Sequence, residues 1–411
     1  MKVALINHSD IDGGAARATY RIHHALRRHD VDSTMMVNSA AAGDWTVRGP
    51  TTKWEKVVVN VRRPLGGLLN KMLHTGNPVL HSPAIFSSRW PARLNALNAD
   101  LLHIHWITGE MLSISDVGEL KKPLVWTLHD MWAFCGAEHY TEDFRWREGY
   151  LPSNRPNYES GFDLNRWTWQ RKRKNWKQPL HIVTPSRWLA DCVRQSALMR
   201  EWPVSVIPNA IDTDAWQPVD KTIARQMLHL PPAAPLLLFG AMGGAKDPRK
   251  GFDLLKSALD HLRGQMPGLE LVVFGQLAPE TSVDLGFPVH YAGHLHDDLS
   301  LRLLYAAADV MVVPSRQEAF GQTASEAHAC GTPVIAFDTC GLPDIVTHKK
   351  TGWLAKVFDT EDLAGGIQWI LSDDIRHSKL RANARADAVF KFSYRTVAEQ
   401  YLTLYEKIIR S

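Results

Sequence analysis

Apolar residues along this chain fall into short continuous runs, separated by stretches in which they recur every three or four positions. In the first half, the runs Lys2–Asn7, Ser33–Val37, Leu101–His105, Leu124–Leu128, His181–Thr184 and Val204–Ile207 predict buried strands. A helix is expected after Gly13-Gly14, continuing through Arg27. The polar, proline-containing stretch from Pro208 to Pro235 reads as a connection between domains. A second alternation follows, with strands at Leu236–Phe239, Leu271–Phe274, Val289–Ala292, Val310–Val313 and Val334–Phe337 and helical spacing between them. Ser393 to Ile409 has the pattern of a final amphipathic helix.

Strand–helix alternation of this kind implies parallel sheets with right-handed crossovers, here two doubly wound Rossmann-like domains in an α/β chain. Two segments break the rhythm. Residues 41 to 90 are irregular and basic, with one amphipathic helix expected around 54–73, and Met131 to Asn165 is too rich in Trp, Tyr, Pro and Asn to assign.

At 411 residues the chain can form two separate cores, and 45% apolar with 22% charged residues is ordinary globular composition. No apolar run approaches the roughly 20 residues needed to span a bilayer. The opening Met1-Lys2-Val3-Ala4-Leu5-Ile6 leads directly into a strand rather than into a long apolar signal core. Cys135, Cys192, Cys330 and Cys340 are scattered and form no CxxC pair, so reduced thiols and a cytoplasmic setting are expected. A net charge of +4 does not argue for nucleic acid. Local charge is more informative: residues 166–177 hold six basic residues, three tryptophans and no acid. This segment is expected either to meet an anionic membrane surface, together with 54–73, or to pack its tryptophans into the core with only its cations exposed.

Chemistry is concentrated in loops that follow strands, where doubly wound sheets bind ligands. Glu318-Ala-Phe-Gly-Gln-Thr-Ala-Ser-Glu326 lies between the strand Val310–Val313 and a helix expected to begin near Gly321. A helix start offers backbone N–H groups to an anion, here at Phe320, Gly321 and Gln322, with one carboxylate on either side to accept from sugar hydroxyls. That combination suits a nucleotide diphosphate sugar. Lys250, in Asp247-Pro248-Arg249-Lys250-Gly251, supplies a cation for a departing diphosphate. His129 ends the strand Leu124–Leu128, and Gly13 and Gly14 permit close approach of backbone to an anion. His103 and His105 share a face of one strand and read as core or supporting residues; no metal-ligand set is recognisable.

Two glutamates with seven residues between them, followed by Ala327-His328-Ala329-Cys330-Gly331-Thr332-Pro333, resemble the retaining glycosyltransferases of family 4, which have the GT-B fold. The resemblance runs from Asp12-Gly13-Gly14-Ala15-Ala16-Arg17 to the closing helix. Trp126-Thr127-Leu128-His129-Asp130-Met131-Trp132 is similar to the bacterial exopolysaccharide and capsule branch. It implies an acceptor domain over 1–208, a nucleotide-sugar domain over 209–390, the two facing across a cleft, and a helix over 391–411 packing back on the first domain. It further implies that Glu318 holds donor-sugar hydroxyls and Glu326 the ribose. Phe320, Gly321 and Gln322 would face the diphosphate with Lys250, Gly13 and Gly14 would approach the donor phosphates, and Arg17 is a weaker candidate for an anionic group.

His290 and Tyr291 occupy the family's base-binding position, and His129 would act with Lys250 and Glu318 in catalysis. The expected reaction moves a hexose or N-acetylhexosamine onto a saccharide acceptor, lipid-linked or polysaccharide, in bacterial surface-glycan synthesis. Neither metal nor another cofactor is expected. One departure stands out: where the family has an arginine after the strand Leu236–Phe239, this chain reads Gly240-Ala241-Met242, leaving Arg249 or Lys246 to replace it. An epimerase or hydrolase of the nucleotide sugar, or a non-catalytic binding partner of an assembly complex, would use the same residues.

Overall fold

The computed structural model describes residues 1–240, 247–279, 283–295 and 297–410. The chain divides into two compact units, Met1–Pro208 with Val397–Ser411, and Asn209–Thr396.

In the first unit the strands are β1 (Lys2–Ser9), β2 (Asp32–Ser39), β3 (Val47–Arg48), β4 (Leu73–Thr75), β5 (Leu101–Ile104), β6 (Leu124–Thr127), β7 (Glu159–Gly161), β8 (His181–Thr184) and β9 (Val204–Val206). Seven of them form one sheet in the order β3-β2-β1-β5-β6-β8-β9, and its described pairings are parallel. β4 and β7 form a separate antiparallel ribbon. The helix Tyr394–Arg410 contributes Tyr401 and Tyr405 to this unit's interior. There the Tyr405 hydroxyl meets His103 Nδ1 at 2.6 Å, and the Tyr401 hydroxyl meets Thr127 Oγ1 at 3.1 Å.

The second unit contains β10 (Leu236–Gly240), β11 (Glu270–Phe274), β12 (Val289–Gly293), β13 (Val310–Val313), β14 (Val334–Phe337) and β15 (Gly352–Ala355). They form a parallel sheet in the order β12-β11-β10-β13-β14-β15. Its central strands β10, β13 and β14 read as unbroken apolar runs because both faces are covered. Leu236, Leu238, Val272, Met311 and Val313 point to one core, and Leu237, Phe239, Val273, Val310 and Val312 to the other.

In both sheets the strand order reverses direction once, between β1 and β5 and between β10 and β13. Crevices open at such switch points beyond the carboxyl ends of the strands. The chemistry of each unit therefore has a position dictated by topology.

Candidate functional site

In the second unit Lys250 follows β10 and Glu318 follows β13, the two strands that flank the switch point. One glycine lets their loops come together. Gly251 has φ of 66°, and a Cβ there would lie 1.9 Å from the carbonyl oxygen of Pro314, so only glycine lets the Lys250 turn press against the end of β13. The Arg316 amide donates to the Arg249 carbonyl at 2.7 Å, which closes the two loops on each other. Lys250 Nζ then donates to Glu318 Oε2 at 2.6 Å, in a pair that remains partly open to solvent. Gly321 begins the helix Gln322–Ala329 at φ of 103°, a conformation that disfavours a side chain, and no side chain caps that start. An ammonium, a carboxylate and an uncapped helix start thus share one edge of the sheet, with donors for phosphoryl oxygens beside an acceptor for hydroxyls.

The neighbouring residues are less uniform. Glu326 is only 5% exposed, and the Tyr305 hydroxyl donates to its Oε2 at 2.9 Å, so part of its carboxylate is already engaged. Phe320 buries its ring against Phe392, which leaves only its backbone for a ligand. Arg249 folds back on Asp247, with N–O distances of 3.1 and 2.7 Å. His290 and Tyr291 stand apart from the Lys250–Glu318 group. β12 is the edge strand, two strands from the switch point, and His290 near its amino end pairs with Glu270 at 2.6 Å. The Tyr291 side chain, like that of Val289, packs partly buried against the core. Ala241, Met242 and Lys246, on which the question of the replaced arginine turns, lie outside the described residues.

In the first unit, β1, β5 and β6 are adjacent, so Gly13, Trp106 and His129 follow neighbouring strands. Gly13 caps the helix Gly14–Arg28 at φ of 92°, and among the described residues beyond its chain neighbours no atom lies within 4 Å of the position a Cβ would take. Asp10 braces this loop by accepting from the amides of Ala41 and Ala42, each at 2.8 Å. His129 lines a recess with His105, Trp106, Asp130 and Trp132. Burial holds its imidazole at a pKa of about 4, so it is neutral at pH 7. Asp130 is turned away from it, accepting from His139 Nδ1 at 2.6 Å, Trp106 Nε1 at 3.0 Å and the Trp132 amide at 2.9 Å. His139 Nε2 reaches Ser82 Oγ at 2.9 Å, which ties the loop after β6 to a distant segment. Sequence reading missed this Asp130–His139–Ser82 chain because His139 and Ser82 lie in the two segments without periodicity.

Elsewhere in the unit, His23, His24 and Asp44 bring potential metal-ligand atoms within 4.8 Å of one another. Both ring nitrogens of His23 are already held by the hydroxyls of Ser33 and Thr46, each at 2.7 Å, which favours a structural role.

The two basic segments differ. In the helix Leu164–Asn175 and just beyond it, Trp169 and Trp176 are buried, and Lys172 is fully buried against the carbonyls of Trp132, Cys135 and Gly136. The tryptophans of 166–177 therefore belong largely to the core, the second of the two expectations for that segment. The helix Lys53–Asn70 behaves oppositely. Trp54, Val57, Val61, Leu65, Leu68 and the following Met72 recur at helical spacing and are each between 41% and 79% exposed. Polar contacts hold the other side of this helix: Arg62 Nε donates to the Glu110 carbonyl at 3.0 Å, and Gly66 lies against the Glu110 side chain. No helix among the described residues is long and apolar enough to cross a membrane.

Comparison with known proteins agrees with this geometry. The family model described as "Glycosyltransferase Family 4" matches residues 12–215, and "Glycosyl transferases group 1" matches 239–387. The D-inositol 3-phosphate glycosyltransferase of Xylanimonas cellulosilytica is 35% identical over 218 residues, 49% of this chain and 51% of the relative. That of Jonesia denitrificans is 35% identical over 221 residues, 50% and 51% of the two chains. The chain thus spans about half the length of the curated relatives it matches.

Among solved structures, the sucrose-phosphate synthase of Thermosynechococcus elongatus superposes with a TM-score of 0.69 at 20% identity, covering 100% of this chain and 99% of that one. HepE of Anabaena, solved with UDP and glucose, gives 0.66 at 19% identity, covering 99% and 100%. With a switch-point Lys–Glu pair in one unit, a histidine after β6 in the other, and two family models that together match most of its length, this chain belongs to the family 4, group 1 glycosyltransferases and has their GT-B type of α/β fold.

Proposed function

We propose that the protein transfers a hexose or N-acetylhexosamine from a nucleotide diphosphate sugar to a saccharide acceptor, with retention of anomeric configuration. The observation that carries this reading is the Lys250–Glu318 pair of 2.6 Å at the β10/β13 switch point, beside the uncapped start of the helix Gln322–Ala329. Glu318 accepts from hydroxyls of the donor sugar. Lys250 and the amides of Phe320, Gly321 and Gln322 take the diphosphate, and Glu326 takes the ribose. Gly13 and Gly14 let backbone approach the donor phosphates, and His129 bonds a sugar hydroxyl.

With no carboxylate assigned as nucleophile, the acceptor enters on the face the diphosphate leaves. The leaving phosphoryl oxygen takes the acceptor proton while Lys250 neutralises the growing charge. The charge on the leaving group is thus met by protein groups, so transfer is expected to persist in a chelator. Incubation with donor alone and with a panel of saccharide acceptors tests the reading. A new glycosidic product with the donor's anomeric configuration supports it. Donor consumption without acceptor points to an epimerase or hydrolase, and binding without turnover to a non-catalytic partner.

The exposed apolar stripe of Lys53–Asn70, flanked by exposed Lys53, Lys56 and Lys71, supports a further part of the proposal: the enzyme docks on an anionic membrane surface through this helix and works on lipid-linked glycans. Flotation with phosphatidylglycerol-containing and with purely zwitterionic vesicles tests it, with binding expected only to the former.

A further inference from the structure

His105 is the residue through which the structure says most about His129. His105 Nδ1 lies 3.0 Å from His129 Nε2, and the two rings stack with centroids 5.3 Å apart. Behind it, the His103 ring sits 4.1 Å from the His105 ring, with both nitrogens fixed by Thr127 Oγ1 at 2.7 Å and the Tyr405 hydroxyl at 2.6 Å. Burial keeps all three imidazoles neutral at pH 7, so each carries a single ring proton.

Two arrangements satisfy the His105–His129 contact. If His129 donates, His105 must carry its proton on its other ring nitrogen, Nε2, which is buried and has no hydrogen-bond partner among the described residues. If His105 donates from Nδ1, the orphan at Nε2 is a lone pair instead of an N–H. Orphaned buried N–H groups are the rarer and costlier of the two. His129 must then hold its own proton on Nδ1, the nitrogen that no described group bonds and whose ring lines the recess.

We propose that His105 is a positioning residue that fixes His129 as the Nδ1–H tautomer, making it a neutral hydrogen-bond donor toward a sugar oxygen and not a general base. This rests on the reading of His129 as a sugar-contacting group. It adds that His129 donates to an acceptor atom there, such as a hydroxyl or ring oxygen, and takes no proton from it. The C-terminal helix enters the same chain through Tyr405 and His103, so the register of that helix reaches His129 by hydrogen bonds and ring packing alone.

The test is long-range proton–nitrogen NMR on the full chain labelled with 15N-histidine, with the His129 resonances assigned by their loss in His129→Asn. At pH 7.5, protonation at Nδ1 and a bare Nε2 are expected; a proton on Nε2 overturns the proposal. This readout needs no substrate, so it stands even if no transfer is found, an outcome that would count against the functional reading alone. Once a donor is identified, His105→Leu is expected to lower kcat at least tenfold with little change in donor KM. His105→Asn, whose amide can donate from the place of Nδ1, is expected to restore most of it. Equal kcat for His105→Leu and the native chain overturns the proposal. If His105→Leu fails to fold, the tautomer measured in the native chain still decides.

Discussion

Replacing Lys250 by alanine separates the two things its ammonium does. In the resting protein it is bonded to Glu318 at 2.6 Å in a pair still reached by solvent, and pairs of that kind contribute about 0–1 kcal/mol. In a unit of this size a change of 1 kcal/mol moves the melting temperature by about 2–4 °C. The expected stability cost is therefore at most a few degrees. In the reaction the same charge meets the negative charge developing on the diphosphate, and loss of one such preorganised group typically costs about 10²–10³ in turnover, or about 2.7–4 kcal/mol. Transfer rate and thermal melting, measured on the same preparation of Lys250→Ala, should show a large kinetic loss with a nearly native melt. Transfer within threefold of the native rate would refute the leaving-group role. A melt lowered by more than about 10 °C would show that the residue is chiefly structural.

Other expectations follow from the same geometry. Gly251→Ala would force a Cβ into the Pro314 carbonyl at a positive φ, so it should destabilise the second unit by about 1–3 kcal/mol and impair transfer by displacing Lys250, which urea unfolding and a transfer assay can check. The pKa values of His103 and His129 are lowered to about 3 and about 4, against an unfolded value of 6.5. Stability should be constant above about pH 6.5 and fall on acidification toward pH 4, because the unfolded chain binds the extra protons. Each such group adds up to about 1.4 kcal/mol per pH unit. Urea midpoints that do not fall between pH 7.5 and pH 5 would contradict this. Val61→Glu with Leu65→Glu should abolish vesicle flotation while leaving transfer to a soluble acceptor unchanged; retained flotation would remove the helix Lys53–Asn70 from the membrane proposal.

Most of both sheets was legible because strands covered on two faces leave a simple trace, an unbroken apolar run such as Val310–Val313 or Val334–Phe337. The strands that escaped are short and marginal: Val47–Arg48, the β4/β7 ribbon, and Gly352–Ala355 at the sheet edge. Loops after central strands could be read from motif and topology together, as with Lys250, Glu318 and His129.

Side-chain partners across long sequence gaps could not be read. Nothing in the sequence indicates that Tyr305 bonds Glu326, that His139 holds Asp130, or that His290 is occupied by Glu270. The His103/His105 alternation did signal a shared face, but contact with His129 arises only because β5 and β6 are neighbours. Composition misled in one place and informed in another. Lys172 looked like part of a charged surface, yet three carbonyls bury it, whereas the helical spacing from Trp54 to Met72 marks a face that the fold leaves open.

The most direct test of the account is a thermal-shift comparison of the native chain and Glu318→Ala with UDP-, GDP-, ADP- and dTDP-sugars. A ligand at 100 times its Kd stabilises the folded state by about 2.7 kcal/mol. The account predicts that at least one of these sugars raises the melting temperature of the native chain, and that Glu318→Ala loses much of the rise while keeping a response to the bare nucleoside diphosphate. No shift with any of them, or the same shift in both proteins, would contradict it.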